Sequence, residues 1–488
     1  MVVLKSGIFG QRTRVKRGIA VLPLSSFLPL LAVVIAGLSG LVLGTKDEST
    51  TAFIAGTLLF LLALALRRYE LAVVMIVAAH IYIDWYLGLQ IVASVVSVGL
   101  LFFLFCIRSP RHPWRSPRAL WLWGLFLVLT LPPAIRGAQS RSDFSFYYIN
   151  DIFGALVMFW LGLVVVTDKT CLRILFKLLT VFGVLLAVHT IIQARTGIVI
   201  FDTSRFDAYL AQLSDFQLAS VAIHRAGSFL QNPDWNGTFF AIMLFLPLGL
   251  LVETRSFLEK IGYFLAMLLM AIALLCTYSI GAWIGALGGI TGFFLFAGRN
   301  HYRMLLPLLV MLMGAILVTV FPTEISAQVQ RVFEPTELSL RSGAWQTAIR
   351  VITAFPWTGI GLGLTNYLQN AEPYRVPAQY LPLAHPHNSY LEWGAMAGLP
   401  VLMLFLALLL FALWQARCNW MAGDKDTRCL LSGGIAAVMA LSVNSLSING
   451  WTLPPLAAIG WLVLGAIASP LITSKGLHEI EETKVQGV

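Results

Sequence analysis

Residues 391–414 read LEWGAMAGLPVLMLFLALLLFALW, a run of 24 residues in which Glu392 is the only charged side chain. About 20 consecutive apolar residues let an α-helix cross the hydrocarbon core of a membrane. Similar stretches, each of roughly 17–21 residues, recur from Phe27 to Ser469 and are separated by polar loops. Strand-like alternation over about ten residues is absent. The pattern therefore predicts an all-α, polytopic membrane protein.

The composition of the whole chain fits such a protein. Apolar residues make up 58% of the 488 residues and charged residues 11%, whereas a soluble domain averages about 25% charged residues. We therefore expect no large soluble domain. The five cysteines form no pair on the predicted outer side and match no metal-site spacing, so they predict neither a disulfide nor a metal site. No cleavage site follows a short apolar core near the N-terminus, so we expect the first span to be a retained anchor.

The apolar stretches predict about fourteen transmembrane helices, with a range of roughly 12–14. The predicted spans are residues 27–44, 52–66, 71–86, 88–107, 119–135, 152–166, 174–194, 236–252, 260–276, 279–297, 304–321, 391–414, 429–447 and 452–470.

The Lys and Arg residues predict the orientation, because cytoplasmic loops carry an excess of them. With a cytoplasmic N-terminus and alternating loops, the inner segments hold 23 of the 33 Lys and Arg residues and the outer segments hold 10. Both termini are therefore predicted to be cytoplasmic, in a bacterial inner membrane. The net charge of +10 reflects this topology. It does not indicate nucleic-acid binding, since the basic residues lie in separate loops without interleaved aromatic residues.

The predicted organisation follows from the spans and two long outer loops. It comprises a basic cytoplasmic N-terminus (1–26), an N-terminal bundle (27–194), a periplasmic loop (195–235), central helices (236–321), a large periplasmic catalytic loop (322–390), C-terminal helices (391–470) and a cytoplasmic tail (471–488). Loops as long as these two are usually functional. We therefore expect the non-lipid chemistry of the protein to lie in them.

The first of three notable stretches is RAGSFLQNPDWNG, residues 225–237, which ends the first long loop. Its Asn232-Pro233 pair breaks the chain before a helix, and either Asp234 or Asn236 could cap that helix.

The second stretch is LRSGAWQTAIR, residues 340–350, followed by FPWTGIGLG, residues 355–363. Its apolar residues recur every three or four positions, which predicts an amphipathic helix at the outer interface that ends at Pro356. The Gly-x-Gly-x-Gly tail permits a tight turn. No strand precedes it, so it is a weak nucleotide-binding signature.

The third stretch is HPHNSYLEWG, residues 385–394, where the second long loop meets the membrane. Histidine there could be structural or could act as a base. A metal site is disfavoured because no third ligand lies at a familiar spacing. We expect Pro386 to keep the His385 and His387 rings off any shared helical face, and therefore His385 to tolerate substitution better than His387.

An outer site with two or more arginines and a histidine suits glycosyl transfer from a lipid pyrophosphate. Arginine binds phosphate through two parallel hydrogen bonds and stays charged. Such donors stabilise charge that develops on the leaving pyrophosphate. A neutral histidine can take the proton of the acceptor sugar hydroxyl. No metal or other cofactor is needed, because the lipid carrier supplies the energy.

At these stretches the chain resembles the O-antigen ligase and polymerase superfamily, which comprises bacterial membrane glycan transferases of GT-C-like architecture. The Arg225-x-Gly-Ser-Phe-x-x-Asn-Pro stretch, the Arg341…Trp345…Pro356…Gly359-x-Gly stretch and the His387-Asn388-x-x-Leu391 stretch carry the resemblance, over roughly residues 220–415. It implies glycan transfer from undecaprenyl pyrophosphate at the periplasmic face. By this resemblance the candidate catalytic residues are His387 as base, with Arg341 and Arg225 on the pyrophosphate. The candidate substrate-binding residues are Asn388, Arg350, Asn232, His385 and Glu392.

Two positions depart from the pattern of the superfamily. Ile280 follows Ser279 where members often carry Ser-Arg, and Val401 stands where the ligase signature, met by His387, Asn388 and Gly398, tends to have a second glycine. The acceptor implied is either another lipid-linked glycan, for a polymerase of O-antigen or exopolysaccharide, or lipid A–core, for a ligase. Protein O-glycosylation is also open. Val401, the span count and the long first loop favour a polymerase slightly.

The competing interpretation is a transporter, whose marks are internal repeats and ionisable residues deep in spans. His80, Asp84 and His189 are the candidates for such residues, but no clear repeat is present. The acceptor cleft of a transferase is expected along Phe201–His224 and Asn366–Leu383, because these segments are rich in Tyr, Phe and Gln.

Overall fold

The structure is a computed structural model of the chain. It describes residues 60–61, 63–64, 66–86, 92–107, 117–197, 215–218, 221–296, 314–315, 318–320, 322–323, 325–326, 335–379 and 381–472. The predicted segment 1–26, the predicted span 27–44, most of the predicted spans 52–66 and 304–321, and the tail from residue 473 lie outside these residues.

The helices are α1 (Tyr69–Ala79), α2 (Val92–Ile107), α3 (Pro117–Gly137), α4 (Arg141–Phe144), α5 (Gly154–Val165), α6 (Lys169–Thr196), α7 (Pro233–Met243), α8 (Phe245–Glu253), α9 (Phe257–Cys276), α10 (Ile280–Phe296), α11 (Pro335–Ala354), α12 (Leu364–Asn370), α13 (Ser389–Ala397), α14 (Leu399–Ala422), α15 (Lys425–Asn444) and α16 (Pro454–Ala468). Two segments wind as π-helix, His80–Tyr86 after α1 and Ser145–Phe153 before α5. Two short antiparallel strands, β1 (Asp215–Leu218) and β2 (Val221–His224), pair with Asp215 opposite His224. This hairpin was not predicted.

Six helical segments within the described residues are long and apolar enough to cross a membrane: Tyr147–Val165, Lys169–Thr196, Pro233–Glu253, Phe257–Cys276, Leu399–Ala422 and Lys425–Asn444. Five shorter apolar helices accompany them, at Tyr69–Ile83, Ala93–Leu104, Trp121–Gly137, Ile280–Phe296 and Pro454–Ala468. Each overlaps a predicted span, which confirms a helical chain with several candidate spans. The total of about fourteen stays a prediction.

Cap chemistry sets the ends of the longest helix, α6. The side chain of Asp168 accepts hydrogen bonds from the backbone N–H groups of Thr170 and Cys171, at 2.9 and 3.0 Å. These contacts satisfy N–H groups that have no partner within the helix. At the other end Gly197 adopts a left-handed conformation, with φ of 71°, which glycine reaches without steric cost.

The predicted single span 391–414 is divided in the structure. Gly398 has φ of 89° and separates α13 from α14. A Cβ atom at this position would lie 2.6 Å from the carbonyl oxygen of Trp357. The expectation of one continuous helix was therefore wrong, because Gly398 turns the chain where the 356–361 segment approaches it. The candidate membrane span begins at Leu399, and α13 precedes it.

The Gly-x-Gly-x-Gly tail forms the predicted tight turn. Gly359, Gly361 and Gly363 all have positive φ, from 58° to 114°. The turn binds the end of α13 through its backbone: the N–H of Ile360 donates to the carbonyl of Ala395 at 3.0 Å, and the N–H of Gly361 to that of Met396 at 2.9 Å. It therefore joins the second long loop to α13.

The predicted amphipathic helix corresponds to α11. Three residues of its predicted apolar stripe, Ala344, Ala348 and Val351, are at most 1% exposed. On the same side, the hydroxyl of Thr347 accepts a hydrogen bond from the backbone N–H of Val376 at 3.2 Å. The stripe therefore packs against the protein. Phe355, which follows the last residue of α11, is 38% exposed.

The core of the C-terminal helices includes a close contact between α5 and α16. A Cβ atom on Gly465 would lie 2.0 Å from the carbonyl oxygen of Phe159, and one on Gly162 would lie 2.3 Å from that of Leu462. Small residues allow such backbone approach between membrane helices. Trp461 of α16 packs on Trp123 of α3, with ring centroids 4.8 Å apart.

Ion pairs join three loop regions at one end of the bundle. Lys169 contacts Asp424 at 2.6 Å, Arg173 contacts Glu253, and Lys177 contacts Glu259 at 2.9 Å. These residues bring together the start of α6, the α8–α9 turn and the α14–α15 turn, which are all predicted to be cytoplasmic. The contact geometry therefore agrees with the predicted alternation of the spans.

Reporter fusions test the direction of this topology. We expect fusions after residues 210 and 365 to be active only with a periplasmic reporter, and one after residue 488 only with a cytoplasmic reporter, since the inner segments hold 23 of the 33 Lys and Arg residues. An active cytoplasmic reporter after residue 365 would contradict both the topology and an external site.

Candidate active site

The loop between α15 and α16, residues 445–453 with the sequence SLSINGWTL, connects the three stretches noted in the sequence. We call it the 445–453 loop. Its oxygen atoms accept hydrogen bonds from the side chains of Trp235, of Arg341 in α11 and of Asn388, the residue that precedes α13. It lies at the opposite end of α15 from the ion pairs of Lys169, Arg173 and Lys177.

The first stretch is held in place by α6. Gln193 accepts a hydrogen bond from the backbone N–H of Ser228 at 2.7 Å, and the Nδ1 atom of His189 lies 2.6 Å from the Ser228 hydroxyl. Asn236 donates to the hydroxyl of Thr190 at 3.1 Å. His189 thus has a structural contact with the first stretch.

Asn232 begins α7. Its side-chain oxygen accepts a hydrogen bond from the backbone N–H of Asp234 at 2.8 Å, and Pro233 occupies the first helical turn. The cap is therefore Asn232, and neither Asp234 nor Asn236 as considered above. This cap fixes the position of the Asp234 backbone in the first turn of α7.

Arg225 is largely buried, with 10% of its side chain exposed. Its Nε atom donates to the carbonyl oxygen of Thr277 at 3.1 Å, and its Nη2 atom lies 2.8 Å from Oδ1 of Asp234. The guanidinium group is therefore anchored between the α9–α10 turn and the start of α7. Ile280, the first residue of α10, follows three positions after Thr277.

Arg341 comes to the same carboxylate from α11. Its Nη2 atom lies 3.5 Å from Oδ2 of Asp234, and its Nη1 atom donates to the carbonyl oxygen of Ser447 at 3.3 Å. The structure thus brings Arg225 and Arg341 together, although 116 positions separate them in the chain. Two guanidinium groups at one point form the kind of cluster that binds phosphate groups.

The segment that carries His387 is anchored next to Arg341 on the 445–453 loop. The next residue, Asn388, donates to the carbonyl oxygen of Leu446 at 2.9 Å, and Arg341 contacts the adjacent carbonyl, that of Ser447. Consecutive Cα atoms are about 3.8 Å apart, so the second and third stretches are anchored at neighbouring peptide groups. His387 has φ of 51°, a left-handed conformation that is uncommon for residues other than glycine and that clusters at functional sites.

Asn388 caps α13. Its side-chain oxygen accepts hydrogen bonds from the backbone N–H groups of Tyr390 and Leu391, both at 3.0 Å. Its amide nitrogen is bound by the loop as described above. Both ends of the side chain therefore contact the protein, and Asn388 holds His387 in position.

The two histidine rings are in contact, with centroids 4.2 Å apart. They share no helical face, as expected, because α13 begins only at Ser389, yet they touch each other in space. The backbone N–H of His387 donates to Nδ1 of His385 at 3.2 Å. Burial, with a smaller contribution from His387, holds the pKa of His385 well below its usual value. His385 is therefore neutral at pH 7.

Glu392 is buried at the start of α13. It accepts a hydrogen bond from the hydroxyl of Thr452 at 2.9 Å, and it lines a cavity of about 50 Å³ together with Tyr147, Asp151 and Asn449. Burial raises the pKa of Glu392 to about 8, and the bond from Thr452 opposes that shift. Glu392 therefore belongs to the lining of this small cavity.

Arg350 is not brought to the site. Nine residues of an α-helix, at 3.6 residues per turn, turn through about 900°, so Arg350 lies opposite Arg341 on α11. Its side chain is exposed. Arg375, another arginine of the second long loop, forms a surface ion pair with Glu372 at 2.8 Å.

The predicted acceptor segments are partly described. Within Asn366–Leu383, Asn366 donates to the carbonyls of Ile360 and Gly361, at 3.1 and 2.9 Å, and supports the glycine turn. Tyr367 is 2% exposed. Residues 201–214 and Tyr380 lie outside the described residues. Within the described part of the chain, no three His, Cys, Asp or Glu side chains lie close enough to hold a metal ion.

The sequence interpretation overlooked the 445–453 loop and the role of Asp234. A signal was present, since Ser, Asn, Gly and Thr are concentrated in residues 445–452 between two apolar helices. In a membrane protein the backbone N–H and C=O groups of such a non-helical cluster need hydrogen-bond partners within the protein.

A family model described as O-antigen ligase matches residues 265–406. The matched segment runs from α9 into α14 and contains Arg341, His385, His387 and Asn388, whereas Arg225 and the 445–453 loop lie outside it. Comparison with curated proteins gives no match. Residues 265–406 are therefore similar to the O-antigen ligase family, and the resemblance to the O-antigen ligase and polymerase superfamily is confirmed for this part of the chain.

Proposed function

We propose that the protein transfers a glycan from undecaprenyl pyrophosphate to an acceptor hydroxyl at the periplasmic face of the inner membrane. The observation that carries this proposal is the convergence of Arg225 and Arg341 on one point, with the His387 segment anchored at the neighbouring peptide group. The family match supports a role in surface polysaccharide biosynthesis.

The arginine pair would bind the pyrophosphate of the donor. As the bond between the anomeric carbon and the pyrophosphate oxygen breaks, its electron pair leaves with the oxygen and negative charge develops there. Guanidinium groups that are already fixed by Thr277 and Ser447 meet this charge without reorganising. Such preorganised donors are usually the largest catalytic contribution.

His387 would act as the general base. The acceptor hydroxyl oxygen forms the new bond to the anomeric carbon, and its proton passes to the imidazole of His387. His385 is neutral at pH 7 and accepts the backbone N–H of His387, so it adds no positive charge and helps to hold the residue. Asn388 and Asn232 cap the helices that carry the site.

We propose that the acceptor is another lipid-linked glycan, which makes the protein a polymerase. Val401 supports this choice, since it replaces the second glycine of the ligase signature and is buried in α14. A ligase that joins O-antigen to lipid A–core is the second candidate, because the matching family model is described as O-antigen ligase.

A deletion strain examined for its glycans tests both candidates. A polymerase predicts single repeats on the acceptor, or loss of long exopolysaccharide with lipid A unchanged. Intact long chains on the carrier lipid, with none on lipid A, would instead identify a ligase. Normal glycans of every class would contradict the proposed function. If the protein were a transporter, it would instead move a solute across the membrane of a vesicle and would form no glycosidic bond.

A further inference from the structure

The Asp234 carboxylate lies between the two arginines of the proposed pyrophosphate site. Its Oδ1 atom is 2.8 Å from Arg225 and its Oδ2 atom is 3.5 Å from Arg341. Each oxygen thus faces a different guanidinium group. The Asp234 side chain is 19% exposed, so another anion could reach the same groups.

Each guanidinium group also has an anchor that does not depend on Asp234. Arg225 donates to the carbonyl of Thr277 at 3.1 Å, and Arg341 to that of Ser447 at 3.3 Å. Removing the charge of Asp234 therefore leaves both arginines with a fixed contact. The 3.5 Å contact to Arg341 is the longer of the two ion pairs, and Arg341 is the group that an incoming phosphate would engage first.

Carboxylate and phosphate oxygens bind guanidinium groups with the same geometry. Asp234 thus offers the arginines the kind of contact that the donor would offer. Resting on the proposed function, we propose that Asp234 is a positioning residue with a second role. It holds Arg225 and Arg341 facing one point, and it competes with pyrophosphate for them, which limits how tightly the site retains the pyrophosphate product.

The competition matters because donor and leaving group share the same pyrophosphate. Two arginines without a counter-charge would bind both more tightly, and binding that is equal for substrate and transition state does not speed the chemical step. Product release limits turnover in many enzymes. A carboxylate within the clamp lowers the net formal charge of the three side chains from +2 to +1, and so favours release.

Asp234→Asn tests this role, because it keeps the shape of the side chain and removes its charge. The probe is inorganic pyrophosphate, titrated into the purified full-length protein by calorimetry. We expect about tenfold tighter binding, the size of change for one charge at a partly exposed contact. In donor-saturation kinetics, KM and kcat should both fall, because release of the undecaprenyl pyrophosphate product becomes slower. Asp234→Glu should keep an affinity close to that of the unmodified protein.

Glu259→Gln is the matched control, since it makes the same carboxylate-to-amide change in an ion pair with Lys177 at the other end of the bundle. If Asp234→Asn does not accumulate, Asp234→Ser removes the same charge and should also tighten binding. Unchanged or weaker pyrophosphate binding in the neutral variant would overturn the competition. If instead the unmodified protein, Arg225→Ala and Arg341→Ala all bind pyrophosphate alike, the clamp of the proposed function is what fails.

Discussion

His387→Ala is expected to abolish measurable glycan transfer while the protein accumulates in the membrane at normal levels. A general base contributes about 10²–10⁴-fold to a rate, and no other side chain of the third stretch replaces it in our assignment. Transfer from a defined lipid-linked donor in purified protein is the measurement, with membrane levels followed by immunoblot. Folding should survive, because Asn388 and its loop contacts hold the segment without the ring.

His385→Ala separates the base from its neighbour. The two rings touch and His385 accepts the backbone N–H of His387, so this variant should lose part of its activity, yet less than His387→Ala. An inactive His385→Ala together with an active His387→Ala would reverse the assignment. Full activity in both variants would exclude the acid–base mechanism.

Arg341→Ala and Arg225→Ala are each expected to lower donor turnover by about 10²–10³-fold, as removal of one preorganised donor does elsewhere. Lysine at either position should restore only part of the rate, because an ammonium group keeps the charge and loses the two-pronged geometry. Initial rates over a range of donor concentrations provide the measurement.

Arg350→Ala is the matched control on the same helix. It removes an exposed arginine from the opposite face of α11, and should therefore keep most of the activity. If Arg350→Ala lost as much activity as Arg341→Ala, the positive charge of α11 would matter and the position of Arg341 next to Arg225 would not. Full activity of Arg341→Ala would remove the pyrophosphate clamp.

The helices and the three stretches could be predicted because their signals are local. Apolar length gives a span, and every candidate span that the structure describes was expected from the sequence. Helix geometry alone also places Arg341 and Arg350 on opposite faces of α11. Such features depend on neighbours along the chain, which a sequence displays directly.

The assembly of the site could not be predicted, because it depends on backbone carbonyls. Ser447 and Thr277 bind the arginines through main-chain oxygens, and every residue carries that group. The contact between His385 and His387 could not be foreseen either, because it forms in a stretch without regular secondary structure. The cap role of Asn388 could not be predicted either, since a sequence alone does not show which asparagine caps a helix, and its substrate-binding role stays a prediction.

The 445–453 loop has a consequence for how the enzyme matures. Translation runs from the N-terminus, and chains generally fold in that order, so Arg225, Arg341 and His387 leave the ribosome well before Ser447. Until α15 and α16 are inserted, Arg341 lacks its carbonyl anchor and Asn388 lacks the oxygen of Leu446. Under the proposed function, a nascent chain that already contains Arg225, Arg341 and His387 is therefore expected to be inactive. Activity is expected only once the α15–α16 hairpin is in place, so a chain that ends before it should leave the proposed lipid-linked donor unused.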